Sequence, residues 1–224
     1  MLRRTVTPLL LALAGGLAAG QPALPDAFSA RLRRYRLHFT RPGPCFAPVP
    51  VESIDRMPYQ FAMRCDEADL EVRYAILEAA STSARRAFTM RFLEVAQEPS
   101  PRIIPFEPGM KIPEDAVAVT GIVQPGSKSN LPPGSRYVRG FVDPAFEPFQ
   151  VMRDEDVRRF RAEWGAVSHA YVPRPDVSTR YRRGMMLMLR VGGRADALVH
   201  FLFNGTGERT RQAMAEAFGT LKFD

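Results

Sequence analysis

Histidine, cysteine and lysine are all scarce in this chain of 224 residues, and each scarcity narrows the chemistry available. The three histidines, His38, His169 and His200, stand far apart in sequence and offer no zinc-ligand spacing. Only two cysteines occur, Cys45 and Cys65, so one disulfide is the most the chain can form. Lysine is confined to positions 111, 128 and 222, which leaves arginine to supply nearly all of the 31 basic side chains. No Walker loop, calcium loop or Gly-x-Ser-x-Gly elbow is present. Ser168 adjoins His169, but neighbours on a strand face opposite ways and make no dyad. No catalytic residue and no cofactor is assigned from motifs.

Long apolar runs are also missing. The stretch from Pro8 to Ala19 is about a dozen residues, short of the roughly 20 that cross a bilayer as a helix. Arg3 and Arg4 precede it, and the small residues Ala18 and Gly20 follow, the order of a cleavable secretory signal. Residues 1–20 are expected to be removed, 21–30 to form a lead-in, and 31–224 to fold as a single globular domain with a proline-rich insertion around 98–150. That insertion holds half of the 20 prolines. After cleavage, 29 bases face 24 acids and the net charge is +5. Outside the cytoplasm this surplus suits acidic envelope components, not nucleic acid. The same compartment makes a Cys45–Cys65 disulfide the expected state of the thiols, against free buried thiols or a redox pair.

Local patterns place the elements. Tyr35, Leu37 and Phe39 alternate with polar residues as in a strand. Residues 59–65 and 70–77 read as a hairpin around the acidic turn 66–69. Ser81 or Ser83 caps a helix through Ala96, stopped by Pro99 and Pro101. Residues 116–123 and 137–142 read as strands joined by the loop 124–136, Asp154 caps a short helix, and a strand covers 166–172. The strands at 185–191 and 195–203 are apolar on both faces, and Gly192-Gly193 joins them as a two-residue turn. A last helix, about 207–218, is expected to end in a left-handed cap at Gly219. Central strands without a wet face call for cover on both sides, so the expected fold is α+β, a mainly antiparallel sheet flanked by helices on both faces as an α/β/α sandwich.

The run Tyr35-Arg36-Leu37-His38-Phe39 into Pro42-Gly43, then a hairpin and a helix, and the closing hairpin, helix and Leu221-Lys222-Phe223 tail give an order of elements that resembles the PsbP-like fold. This resemblance implies a binding or assembly role at a membrane surface. It carries over no functional residue, and the proline-rich middle departs from the family.

Two clusters are candidate sites. Arg180-Tyr181-Arg182-Arg183 mixes cations with an aromatic ring and suits an anionic ligand such as a sugar acid or a phosphate headgroup, against the plainer reading of a solvated edge. A two-residue turn at Gly192-Gly193 would set Met185 across from His200, a thioether and imidazole pair suited to Cu(I), against core filling by methionine. Acids at Glu67, Asp69, Glu71 and Glu163 are the raw material for a hydrolase site assembled only in the fold. The expectation is an exported, non-enzymatic binding or assembly module whose partner is an envelope protein or an anionic envelope component. A secreted hydrolase is the alternative.

Overall fold

The computed structural model describes residues 23–51, 54, 57–113, 116–121 and 138–224, so the expected signal and the loop 124–136 lie outside the described residues. The chain runs α1 (Asp26–Tyr35), β1 (Leu37–Phe39), β2 (Ala47–Pro48), β3 (Phe61–Cys65), β4 (Leu70–Glu78), α2 (Ala84–Val95), β5 (Ala96–Glu98) and β6 (Ile103–Pro105). It continues with β7 (Ala118–Gly121), β8 (Val138–Val142), β9 (Phe149–Val151), α3 (Asp154–Arg159), β10 (Trp164–Ser168), β11 (Val172–Pro173), β12 (Arg183–Val191), β13 (Ala195–Phe203), α4 (Glu208–Phe218) and β14 (Leu221–Phe223).

Seven strands form one antiparallel sheet in the order β2-β3-β4-β13-β12-β10-β9. The strands with the most continuous apolar sequence take its middle, where both faces are covered: every residue of β13 is buried, and all of β4 except Glu78. On one face Val72, Tyr74, Leu187, Val199 and Phe201 pack with Phe28 and Leu32 of α1, Ala213 and Ala217 of α4, and Phe223 of β14. On the other, Ala75, Met186, Met188, Leu198 and Leu202 pack with Phe88 and Phe92 of α2 and with Tyr171, Val177 and Tyr181 from the irregular chain between β10 and β12.

The expected α/β/α sandwich is overturned by this arrangement. The described residues are mainly β, 36% strand against 24% helix. The four α-helices among the described residues have only 6 to 12 residues, and three small sheets, β1-β14, β5-β11 and β6-β8-β7, stand beside the main one. Strands that are apolar on both faces require cover, but their pattern does not specify helices as the cover. Here small sheets and irregular chain share that task with short helices that form no layers.

Local corrections follow the same logic. The expected lead-in contributes to α1, which buries Phe28, Leu32 and Tyr35. Ser83 caps α2, accepting from the Arg86 N–H, whereas α3 begins at Asp154 with Arg153 as its cap. Gly219 has φ −94 and is not a left-handed cap; Thr220 Oγ1 instead donates to the Ala217 carbonyl at 2.8 Å. β12 and β13 are joined by three residues, 192–194, with Gly193 at φ +66, a conformation glycine adopts without steric cost. That additional residue moves the pairing by one position, so Met186 lies across from His200 and Met185 across from Phe201. A one-residue slip exchanges the faces of a strand, and Met185 and His200 consequently lie on opposite sides of the sheet. The expected copper pair is not assembled.

Cys45 and Cys65 are joined, with Cα atoms 5.0 Å apart and a separation of 20 in sequence. The bond ties the approach to edge strand β2 to the end of β3. Closing a loop of this size removes unfolded-state freedom equivalent to about 3 kcal/mol. Replacing both cysteines by serine is expected to lower the melting temperature by roughly 6–12 °C, read by circular dichroism. A shift under about 2 °C would show that the bridge does not constrain the unfolded chain.

Candidate functional site

Residues 170–172 leave β10 and run between two other strands. On one side Val172 pairs with Glu98 of β5. On the other Tyr171 makes an isolated bridge with Gly184 of β12, its N–H donating to the Gly184 carbonyl at 2.9 Å and its carbonyl accepting the Gly184 N–H at 2.8 Å. The Tyr171 ring lies directly over Gly184: a Cβ there would come within 2.6 Å of the ring. Above this floor is an open groove of about 420 Å³, lined by Glu98, Pro99, Ala170, Tyr171, Val172, Arg182 and Arg183. Val172 is 41% exposed, an apolar side chain beside two cations. Neither the guanidiniums of Arg182 and Arg183 nor the Glu98 carboxylate has an ion-pair partner among the described residues.

The expected Arg180–Arg183 cluster is therefore divided. Arg180 turns away from the groove to Asp66 and Asp69, at 3.6 and 3.7 Å, and stacks over the Tyr181 ring at 5.3 Å. Tyr181 is buried against the sheet, and its hydroxyl meets no hydrogen-bond partner among the described residues. Burial, with Glu71 adding to the effect, pushes its phenol up to about 12. Arg182 and Arg183 remain on the groove. Asn204 holds their approach in place, its Oδ1 accepting the Arg182 N–H at 2.9 Å while its Nδ2 donates to Asp69 at 2.7 Å.

Behind the groove lies a buried polar network. His200 is 1% exposed and contacts Tyr59 and Tyr171: the Tyr59 hydroxyl is 2.5 Å from Nδ1, and the Tyr171 hydroxyl bonds to Nε2. A neutral imidazole has one N–H and one bare nitrogen, so one tyrosine hydroxyl accepts and the other donates. Burial, aided by the Arg73 guanidinium, lowers the His200 pKa from 6.5 to about 3. Burial raises both tyrosines, so neither ionises near neutrality. Arg73, the cross-strand partner of His200, donates to Glu71 at 2.7 Å and to the Val177 carbonyl at 2.8 Å. Ser168 Oγ accepts the Met186 N–H at 2.8 Å. The network fastens the chain at 171–181 to the sheet and thereby positions the groove floor. His200 is sealed within it, beside the Arg73–Glu71 ion pair.

The remaining candidates stay dispersed. His38 bonds to Asp224 at the β1-β14 pair, and His169 is exposed. Glu163 accepts the Gly192 N–H at 2.7 Å, Asp69 holds Asn204 and Arg180, and Glu71 holds Arg73, so these acids do not converge. Among the described residues no three His, Cys, Asp or Glu side chains gather as a metal site, and no helix is long and apolar enough to cross a membrane. Motif reading did not single out Glu98, Tyr171, Tyr59 or Arg73. One signal was available: Glu71 and Arg73 are opposite charges two apart in an otherwise apolar strand, and therefore share a buried face. No protein-family model, no curated protein and no solved structure matches this chain.

Proposed function

We propose that this protein is an exported, non-enzymatic binding module of the cell envelope, and that the groove over Tyr171 is its ligand-binding face. One observation carries the reading: two adjacent exposed guanidiniums, Arg182 and Arg183, line a concave volume of about 420 Å³ without acid partners among the described residues. Guanidinium is weakly hydrated and presents a planar fork of donors, which favours carboxylate and phosphate oxygens. The ligand is accordingly an anionic envelope component. Export is supported by the leader pattern and is compatible with the disulfide. The hydrolase alternative has less to stand on, because the buried histidine is sealed behind two tyrosines and the other two lie elsewhere.

The test is a titration of the full chain at low salt with inorganic phosphate and with glucuronate, followed by amide chemical shifts. Shifts are expected at Glu98, Ala170 and Val172. Arg182→Ala/Arg183→Ala is expected to weaken binding roughly tenfold, two exposed charge contacts at up to about 1 kcal/mol each. Arg180→Ala should leave affinity unchanged, because that side chain is engaged by Asp66 and Asp69. Equal affinity in the double variant and the parent chain would sink the proposal.

A further inference from the structure

We infer that the groove is built for a small zwitterion, whose carboxylate or phosphate meets Arg182 and Arg183 and whose ammonium meets Glu98; this rests on the groove being the binding face. An anion alone is a poor match for the lining. Glu98 contributes an exposed carboxylate with no ion-pair partner among the described residues, and it would repel any ligand of purely negative charge. The strand pairings separate the charges. Glu98 flanks Val172 on one side and Gly184, next to Arg183, flanks Tyr171 on the other. Two strand spacings put the acidic and basic banks about 10 Å apart at the backbone. The floor between them is apolar, built from Ala170, Val172 and Pro99 over the buried Tyr171, whose hydroxyl is occupied by His200. Acid, apolar floor and paired bases in that order match an ammonium, a short carbon spacer and an oxyanion.

Two envelope sources present this chemistry: the amino and carboxyl groups of a short peptide, and the ethanolamine phosphate of a lipid headgroup. The test titrates the full chain with glycylglycine and O-phosphoethanolamine, and with the N-acetyl form of each, which retains the anion and removes the ammonium. Each zwitterion is expected to bind about fivefold more tightly than its acetylated form, the margin of one exposed ion pair. Glu98→Gln should abolish that margin without weakening the acetylated probes, while Arg182→Ala/Arg183→Ala weakens all four. The tighter zwitterion assigns the source. If acetylated and free probes bind alike and both depend on the arginines, the zwitterion assignment fails and the anion-binding groove stands. If no probe depends on the arginines, both fail.

Discussion

Acidification from about pH 6.5 to about pH 4.5 is expected to remove roughly 2 kcal/mol of folding stability through His200 alone. In the folded protein this imidazole is sealed between Tyr59 and Tyr171, with Arg73 nearby, and its pKa is lowered to about 3. In the unfolded chain it titrates near 6.5. Between those values the unfolded state binds a proton that the folded state refuses, so stability falls as pH falls, by about 1.4 kcal/mol per unit. Above pH 6.5 both states are neutral and the effect disappears. Carboxylates titrate in the same window, so the measurement compares urea unfolding of the parent chain and His200→Gln across a pH series. The variant should be less stable at neutral pH, because the tyrosine hydroxyls lose a matched partner, and the difference should shrink steadily on acidification. Parallel curves would show that His200 titrates normally in the fold.

Removing the Asp196 carboxylate is expected to cost about 3–5 kcal/mol, enough to endanger folding at physiological temperature. Arg190 and Asp196 are direct cross-strand partners near the end of the β12-β13 hairpin. The guanidinium donates to both carboxylate oxygens, at 2.5 and 2.7 Å, and a third donor reaches the Thr82 carbonyl at 2.7 Å. The two side chains are 7% and 4% exposed. Asp196→Ala leaves a buried guanidinium without its counter-charge, which is the costly change. Arg190→Met/Asp196→Leu removes both charges together and should recover most of the loss, since two charges out of water gain little over well-packed apolar groups. Denaturant midpoints at constant slope measure both. A loss under about 1 kcal/mol for Asp196→Ala would mean that the pair is hydrated in solution.

Much of the strand content was legible because it rests on short-range pattern. The alternation around Leu37, the hairpin at Asp66–Asp69 and the apolar strands β12 and β13 needed only neighbouring residues to be recognised, and the middle position of β12 and β13 followed from their having no polar face. Two failures are instructive. The sandwich was expected because both faces of those strands are apolar, yet an apolar face is satisfied equally by a helix, a small sheet or irregular chain. The Met185 and His200 pairing was expected from a two-residue turn, and Arg194 joining the loop exchanged every facing partner. Arg180–Arg183 read as one cluster because the residues are consecutive; the acidic turn at Asp66 and Asp69 claims Arg180, and the sheet claims Tyr181.

Composition was sufficient to mark Cys45 and Cys65 as partners, since a chain with two cysteines offers a single internal pairing. Local spacing was also sufficient to locate the central hairpin, since burial follows from side-chain polarity along a few residues. Glu98, Tyr171 and Arg183 meet only because β5, the chain after β10 and the start of β12 lie side by side, and His200 resists protonation in acid only because residues from three separate segments enclose it. Those properties depend on distance and dielectric in three dimensions, quantities that no sequence interval encodes.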